Sequence, residues 1–578
     1  MSVDLIRSSF VACLLALAGC GDSAPPAPLI SGANPYEGQD LTGAPNILLI
    51  VADDMGYTDI GTFGSEIETP QIDALAAAGM IFSNFHVAAA CAPTRAMLLT
   101  GVDNHLAGQG SMMYLAPNQR GQPGYEDRLN DRVVTVARLL QDAGYHSYMA
   151  GKWHLGAKAM QGPPDRGFER SWWLAEGVAP HYSSDGLSPP HHYFDGLEPT
   201  EESVDFFSSD AYTSRLIEFI DRNRDSGRPF FGYLAFTAPH SPLQAPKELV
   251  DKYEPIYARG WDVIRAERYR RLQNSGLAPA EQELPPRWPE VPAWDSLSET
   301  KRAIEARKMA LYAGLIDNMD QNIGRLLTRL RDIGEYENTV VFFLSDNGAE
   351  HVDPEVLDAL IMKALLLGSD NSYDNMGKPG SFVFAGPPWA NVSATHLRGH
   401  KGLATEGGIR APLLVSWPGR VAAGLRSEQL SMAIDIAPTM LAIAGIEHPG
   451  TEYRGRDVVP PSGVSLLPYL TGQTETVQRP GSVGYELAGH QAQFYDRWKA
   501  LKLRPPFGND QWQLYDILAD PGETTDLATQ YPERLAALVR DHEHYLQNNG
   551  VILAPEGYDA LSAKLGIRDI LALIFSEE

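Results

Sequence analysis

The chain has little cysteine, no long apolar run and no surplus of positive charge, and each lack excludes a class of protein. Three cysteines, Cys13, Cys20 and Cys91, occur in 578 residues, which is too few for a disulfide scaffold. The apolar N-terminal run, Phe10 to Gly19, is far shorter than the ~20 residues a membrane-spanning helix needs. Lys+Arg number 47 against Asp+Glu 73, a formal net charge of −26. So acidic a surface repels nucleic-acid phosphates, and no nucleic-acid partner is expected. The 44% hydrophobic and 21% charged residues are globular values. Gly 53 and Pro 42 make the chain loop-rich, yet short of the ~25–30% typical of low-complexity chains.

What is present begins with an address. Arg7 precedes the short apolar run and small residues follow it, so residues 1–19 read as a signal peptide. Leu17-Ala18-Gly19-Cys20 resembles a bacterial lipobox, which implies cleavage before Cys20 and lipid attachment to its thiol. An exported lipoprotein at the periplasmic face of a membrane is then expected, anchored through Cys20; the alternatives are cleavage elsewhere or an uncleaved anchor. Lipidation of Cys20 and loss of Cys13 leave Cys91 alone, so no intramolecular disulfide forms. Residues 20–44 are rich in Pro, Gly and polar residues and read as a tether.

From Pro45 the pattern is α/β. Asn46 to Val51 is continuously apolar and runs into Asp53-Asp54, as for a parallel strand buried on both faces. Tyr145 to Ala150, Phe230 to Thr237 and Thr339 to Leu344 repeat the texture. The last two run into Ala238-Pro239-His240 and Ser345-Asp346-Asn347-Gly348. Between them lie helical patterns, Val133 to Ala143 and a long stripe of Leu311, Leu315, Met319, Ile323, Leu326 and Leu330, with Ser296 and Glu299 as a candidate capping box. The expected fold is a doubly wound, mostly parallel sheet flanked by helices over residues 45–449. A smaller α+β domain with an antiparallel sheet is expected over 450–578, from segments Ser482 to Leu487, Gln493 to Leu503 and Trp512 to Ile517 and a helix near Pro532 to Leu546. Stretches Glu254 to Glu299 and Glu350 to Gly399 interrupt the alternation and read as insertions that line a binding site.

Taken singly, Asp53-Asp54 reads as a turn or cap, His154 and His240 as satisfied core histidines, and Asp346-Asn347-Gly348 as a loop. Together they change meaning, because strand ends converge in a doubly wound sheet. Asp53, Asp54, Asp346 and Asn347 are then four hard oxygen donors. Such a set suits Ca²⁺ or Mg²⁺, and repulsion among three carboxylates favours a cation.

Cys91-Ala-Pro-Thr-Arg95, continuing Ala96-Met-Leu-Leu-Thr-Gly101, resembles the signature of type I sulfatases, whose cysteine becomes Cα-formylglycine. Gly151-Lys152-Trp153-His154, Ala238-Pro239-His240, Ser345-Asp346-Asn347-Gly348, and Lys401 ahead of Glu406-Gly407-Gly408-Ile409-Arg410 follow in the family's order. Trp512 to Asp516 and Asp520-Pro-Gly-Glu523 also match, so the likeness spans roughly residues 45 to 530. Arg166 to Arg170 and Pro387 to Ala390 resemble the bacterial arylsulfatase branch. The resemblance implies a sulfuric ester hydrolase of the alkaline phosphatase superfamily, matured by a formylglycine-generating enzyme. Its metal ligands would be Asp53, Asp54, Asp346 and Asn347, holding Ca²⁺ or else Mg²⁺. Its catalytic set would be Cys91 as nucleophile, Arg95 orienting it, Lys152 on a sulfate oxygen, His154 as base, and His240 with Lys401 at the leaving oxygen. The substrate is then a small sulfate monoester, expected to be aromatic. A phosphonate or phosphate ester hydrolase of the same superfamily is the other enzymatic reading, and a binding module with a decayed site the non-enzymatic one. Trp172, Trp173, Tyr182, Tyr193, Phe194 and Trp389 are candidates for a substrate rim, with core packing the blander role.

Overall fold

A computed structural model describes residues 32–112, 115–183, 191–352 and 368–558; the signal peptide, with Cys13, and residues 20–31 of the tether, with Cys20, lie outside them. Among the described residues no helix is long and apolar enough to cross a membrane.

The large sheet is assembled from β1 (Asn46–Ala52), β2 (Met80–His86), β3 (His146–Lys152), β4 (Arg170–Leu174), β5 (Tyr193–Asp195), β6 (Glu198–Thr200), β7 (Phe230–Ala235), β8 (Thr339–Ser345), β9 (Arg410–Ser416), β10 (Leu425–Ser427) and β11 (Ser431–Met432). Their order is β10-β2-β9-β8-β1-β7-β3-β4-β5-β6, with β11 also on β2. The central pairings β8-β1, β1-β7, β7-β3 and β3-β4 are parallel, whereas β9 runs antiparallel to both β2 and β8. This is the expected doubly wound, mostly parallel architecture.

Alternation explains why the central strands are apolar throughout. In β1, Ile47, Leu49 and Val51 enter one buried cluster, and Leu48, Ile50 and Ala52 enter a second on the opposite face. Strand β8 divides in the same way: Val340, Phe342 and Leu344 on one side, Val341 and Phe343 on the other. With helices over both faces, neither parity meets water. Each fully buried side chain of this size contributes roughly 1.5–3 kcal/mol.

The predicted helical stripe forms one helix, Glu299–Asp332, with Leu311, Leu315, Met319, Ile323, Leu326 and Leu330 all buried. Its N-cap is Ser298, which accepts a hydrogen bond from the Lys301 N–H, and not Ser296. Ser296 instead sits in a preceding single turn, Trp294–Ser296. The start was misplaced because several hydroxyls precede the periodic run.

Two short strands, β12 (Glu452–Tyr453) and β13 (Arg456–Asp457), lead to a four-stranded antiparallel sheet. It comprises β14 (Val483–Leu487), β15 (His490–Tyr495), β16 (Trp498–Lys502) and β17 (Trp512–Asp516). The segment Gln493 to Leu503, read as continuous, is folded into a hairpin. Asp496 at its turn has φ 55, a conformation that aspartate tolerates. The last described helix is Pro532–Asn548. Tyr485, Leu487, Phe494, Leu501 and Ile517 join the same buried cluster as Ile47 and Leu49, so the C-terminal sheet shares a core with the large one.

Of the two roles open to the aromatic residues, the tryptophans take core packing and not a substrate rim. Trp172, Trp173 and Trp389 are buried at 3%, 0% and 0% exposure. Trp172 stacks on Tyr193, and Trp173 on Phe194. The Trp389 indole N–H donates to the Glu305 carbonyl.

Candidate active site

Register brings the polar strand ends together. In the sheet order β8-β1-β7-β3, Ser345 lies opposite Ala52, Val51 opposite Ala235, and Ala235 opposite Gly151. The carboxyl ends of four neighbouring parallel strands are therefore level. Asp53-Asp54, Asp346-Asn347 and Lys152-Trp153-His154 leave from one edge, where ligands bind in open α/β sheets. Strands β3 and β7 approach so closely that a Cβ on Gly151 would lie 1.8 Å from the Ala235 carbonyl oxygen.

Cys91 is the first residue of the buried helix Cys91–Thr100, whose N-terminus favours negative charge. Arg95 follows four residues later, on the same helical face. Its Nε donates to Asp346 Oδ2 at 2.9 Å, one guanidinium nitrogen lies 2.7 Å from that oxygen, and the other donates to the Lys152 carbonyl at 3.1 Å and to the Tyr233 hydroxyl at 3.5 Å. The Cys91 Sγ lies 3.4 Å from Asp53 Oδ1 and 3.7 Å from Asp54 Oδ1. Burial, with Asp346 nearby, pushes its thiol well above the usual range.

Lys152 Nζ donates to Asp53 at 2.9 and 2.7 Å. Lys401 Nζ spans the Asp54 carboxylate at 2.7 and 2.8 Å and lies 3.4 Å from His240 Nε2. His240 Nε2 is itself 3.4 Å from Asp54 Oδ2, and its Nδ1 donates to the Ser241 carbonyl. Asn347 Nδ2 donates to Asp54 Oδ1 at 2.6 Å, and the Asp54 N–H donates to Asp346 Oδ1. All ten residues expected from the sequence meet, with His154 on a left-handed backbone of φ 57. Its Nδ1 is buried without a partner. Burial first, then the cations Lys152, Arg95 and Lys401, hold the imidazole well below its ordinary pKa, in its neutral form.

The donor set fits a hard divalent cation. Asn347 Oδ1 is buried with no partner beside three buried carboxylates. Ligand atoms of Asp53, Asp54, Cys91 and His240 lie within 4.8 Å of one another. Repulsion among the carboxylates is not what calls for a cation, however. Arg95, Lys152 and Lys401 already contact Asp346, Asp53 and Asp54, so the carboxylates do not by themselves require a metal. Fit rests on the orphaned amide oxygen and on the oxygen-rich chemistry of the cluster.

Sequence reasoning missed the wall beside Lys401. His400 stacks on His351 with ring centroids 3.4 Å apart and meets Trp288 at 5.3 Å and Phe507 at 5.9 Å. Burial pushes the His400 imidazole down to about 4 and the His351 imidazole well below its ordinary value. The wall is therefore uncharged and aromatic at neutral pH. Trp288 and His351 lie in the two insertions flagged as site-lining, but only tertiary contact reveals their partners. Glu350 was missed too; with Asp54, Tyr312 and Ser393 it lines a cavity of about 10 Å³, room for one water.

The sulfatase family model matches residues 45–446, and a second model, N-sulphoglucosamine sulphohydrolase, C-terminal, matches 399–548. An uncharacterized sulfatase of Schizosaccharomyces pombe is 38% identical over 531 residues, covering 89% of this chain and 96% of its own. An arylsulfatase of Klebsiella aerogenes is 38% identical over 429 residues, covering 73% of this chain and 91% of its own. Among solved structures, Ps i-CgsB in complex with k-i-k-neocarrahexaose superposes with a TM-score of 0.63 at 25% identity, covering 89% of this chain and 95% of that one.

Proposed function

Since the chain belongs to the sulfatase family of sulfuric ester hydrolases, in the alkaline phosphatase superfamily, we propose that it cleaves sulfate monoesters of aromatic alcohols. Its nucleophile is a formylglycine made from Cys91. The observation that carries this reading is the convergence of Cys91, Arg95, Lys152, His154, His240 and Lys401 on one oxygen-donor cluster. The aryl preference is supported by the likeness to the Klebsiella enzyme and by the uncharged ring wall of Trp288, His351, His400 and Phe507.

Asp53, Asp54, Asp346 and the free Oδ1 of Asn347 would hold the cation, Ca²⁺ by the donor chemistry or else Mg²⁺. When bound, it supplies positive charge to the ester oxygens and to the nucleophile. A hydrated formylglycine supplies one hydroxyl to attack sulfur and a second whose deprotonation releases sulfate, an exit that an ordinary serine or cysteine lacks.

The remaining work falls to the chain's own groups. Arg95, fixed by Asp346, orients the nucleophile's oxygen from one helical turn away. Lys152 turns from Asp53 to a sulfate oxygen. Neutral His154, with an unpartnered Nδ1, takes the proton that releases sulfate. His240 and Lys401, 3.4 Å apart, supply a proton and positive charge to the departing oxygen. Three carboxylates, three cationic side chains and one divalent ion leave a net charge of about +2, suited to a monoanionic ester. A formylglycine-generating enzyme is the implied maturation partner, and the lipobox-like Leu17 to Cys20 places the enzyme on a membrane through a lipid.

The test pairs mass with turnover. The purified Cys91 peptide should be lighter by the difference between CH₂SH and CHO, and Cys91→Ala should lower kcat on 4-nitrophenyl sulfate by on the order of 10⁴-fold or more. Wild-type turnover in that variant, or a higher kcat/KM for matched phosphate or phosphonate esters, would overturn the reading.

A further inference from the structure

The segment that carries Lys401 is held from two sides, and one of them is the C-terminal sheet. Five residues after Lys401, Glu406 is fully buried and accepts from Lys499 of β16 at 2.8 Å. Lys499 Nζ also pairs with Glu523 at 2.7 Å, and Glu523 accepts the Glu406 backbone N–H at 3.2 Å. His86 of β2 and Arg410 of β9 complete the shell, 3.0 and 3.3 Å from Glu406 Oε2. The Lys499, Glu406 and Glu523 side chains are all closed to solvent.

A second tie runs through one residue, Ala89. The Gly402 N–H, next to Lys401, donates to the Ala89 carbonyl at 2.8 Å. The Ala89 N–H donates to the Tyr485 hydroxyl of β14, also at 2.8 Å. Ala89 stands two residues before Cys91. The same sheet thus touches the lysine segment by an ion pair and the nucleophile's approach by a hydrogen bond.

A buried lysine between two carboxylates is a costly arrangement. Well-packed apolar residues of similar volume serve a core as well or better. What the pair specifies that apolar packing does not is a position, here that of the 401–409 segment relative to the large sheet. Glycines show how tight that seat is: a Cβ on Gly348 would lie 1.9 Å from the Gly407 carbonyl oxygen.

We infer that Lys499 and Glu523 are positioning residues for the reaction: through Glu406 they seat Lys401 at the leaving oxygen, so that the C-terminal sheet completes the active site. The inference rests on the proposed leaving-group role of Lys401, and the experiment separates the two.

The variant is Lys499→Met combined with Glu523→Gln, which removes the lysine's charge together with one of its partners and leaves Glu406 with His86 and Arg410. The substrates are 4-nitrophenyl sulfate and an alkyl sulfate. The double variant, folded by circular dichroism and unchanged in metal content, should lose about tenfold more kcat on the alkyl ester than on the nitrophenyl ester, with KM for the latter little altered. Misplacement of a catalytic group by ~1 Å costs up to about 10²-fold. Added to Lys401→Ala, it should cost nothing further, as expected of groups acting through one another. Lys499→Arg should restore much of the alkyl-ester rate.

Should the double variant fail to fold, Glu523→Gln alone and Tyr485→Phe carry the comparison. Glu523→Gln should show the same alkyl-selective loss, and Tyr485→Phe, acting on the nucleophile side, an equal loss on both esters. Equal losses with Lys499 or Glu523 changed, wild-type rates, or a full further loss in the Lys401→Ala background would overturn the inference. If Lys401→Ala itself shows no ester dependence, the leaving-group role falls, and the additivity measurement alone decides the positioning claim.

Discussion

At Asp346 one carboxylate serves three donors: Arg95 Nε and a second guanidinium nitrogen on Oδ2, and the Asp54 N–H on Oδ1. Truncating it to alanine would strip buried Arg95 of its closest carboxylate, leaving Asp53 at 3.6 Å, a loss of up to about 3–5 kcal/mol that would confuse folding with function. Asp346→Asn keeps the shape and one acceptor oxygen while removing a charged ligand. Elemental analysis should show bound Ca²⁺ or Mg²⁺ falling from one per chain toward none, and kcat should drop on the order of 10³-fold. Full metal occupancy in that variant would remove Asp346 from the ligand set. His154 and Asp54 share another residue-scale property: both have left-handed φ, 57 and 63. Non-glycine residues held there aim side chains at a cost of order 1–3 kcal/mol, repaid by the surrounding fold.

Among the elements, the clearest dependence is between the turn after β3 and the loop after β4. A Cβ on Gly177 would stand 2.3 Å from His154 Cε1. Gly177→Ala should therefore push the imidazole from its place without touching any other proposed catalytic group. The expected result is a fall of about 10²-fold in kcat, with unchanged metal content and thermal midpoint; retained kcat would show that the ring is free to move. The element scale is also where sequence reading was most and least successful. Strands β1 and β8 were legible because both faces are buried, leaving an unbroken apolar run that ends in polar residues. The β15–β16 hairpin was not, because its turn at Asp496-Arg497 interrupts an alternation that continues on either side. The wall beside Lys401 escaped for another reason. Trp288, His351, His400 and Phe507 come from four separate segments, and no local pattern marks rings that meet only in the folded chain.

For the whole molecule, the contact between the short helix Asn104–Ala107 and the C-terminal sheet carries a pH signature away from the catalytic cluster. His105 lies between Asp103 and Glu486 of β14 at 3.0 and 2.9 Å, and the Tyr545 hydroxyl donates to Asp103. The two carboxylates outweigh burial and raise the imidazole from 6.5 to about 9. A group whose folded pKa is raised gives stability that is complete below its unfolded pKa and lost as pH rises through the folded one. The window is therefore about pH 6.5 to 9. The tyrosines that border this histidine, Tyr125 and Tyr545, are shifted upward and do not titrate within it. The thermal midpoint should fall by on the order of 2 °C across this window, and His105→Gln should flatten the slope. A slope unchanged in that variant would assign the dependence elsewhere.

Some of this was determined by the sequence alone. Runs of apolar residues buried on two faces specify a parallel sheet, and CxPxR with its ordered companion blocks picks out the residues proposed to react, because both signals are local or keep their order along the chain. Other features were decided only by the tertiary structure. Register makes four strand ends level, so residues 54 and 346 share a hydrogen bond. Shared burial makes the C-terminal sheet part of the seat of Lys401, and the three carboxylates are balanced by three cations. The physical reason is that side-chain interactions act over a few ångströms, whereas these partners are separated by tens to hundreds of residues; only folding brings them within that range.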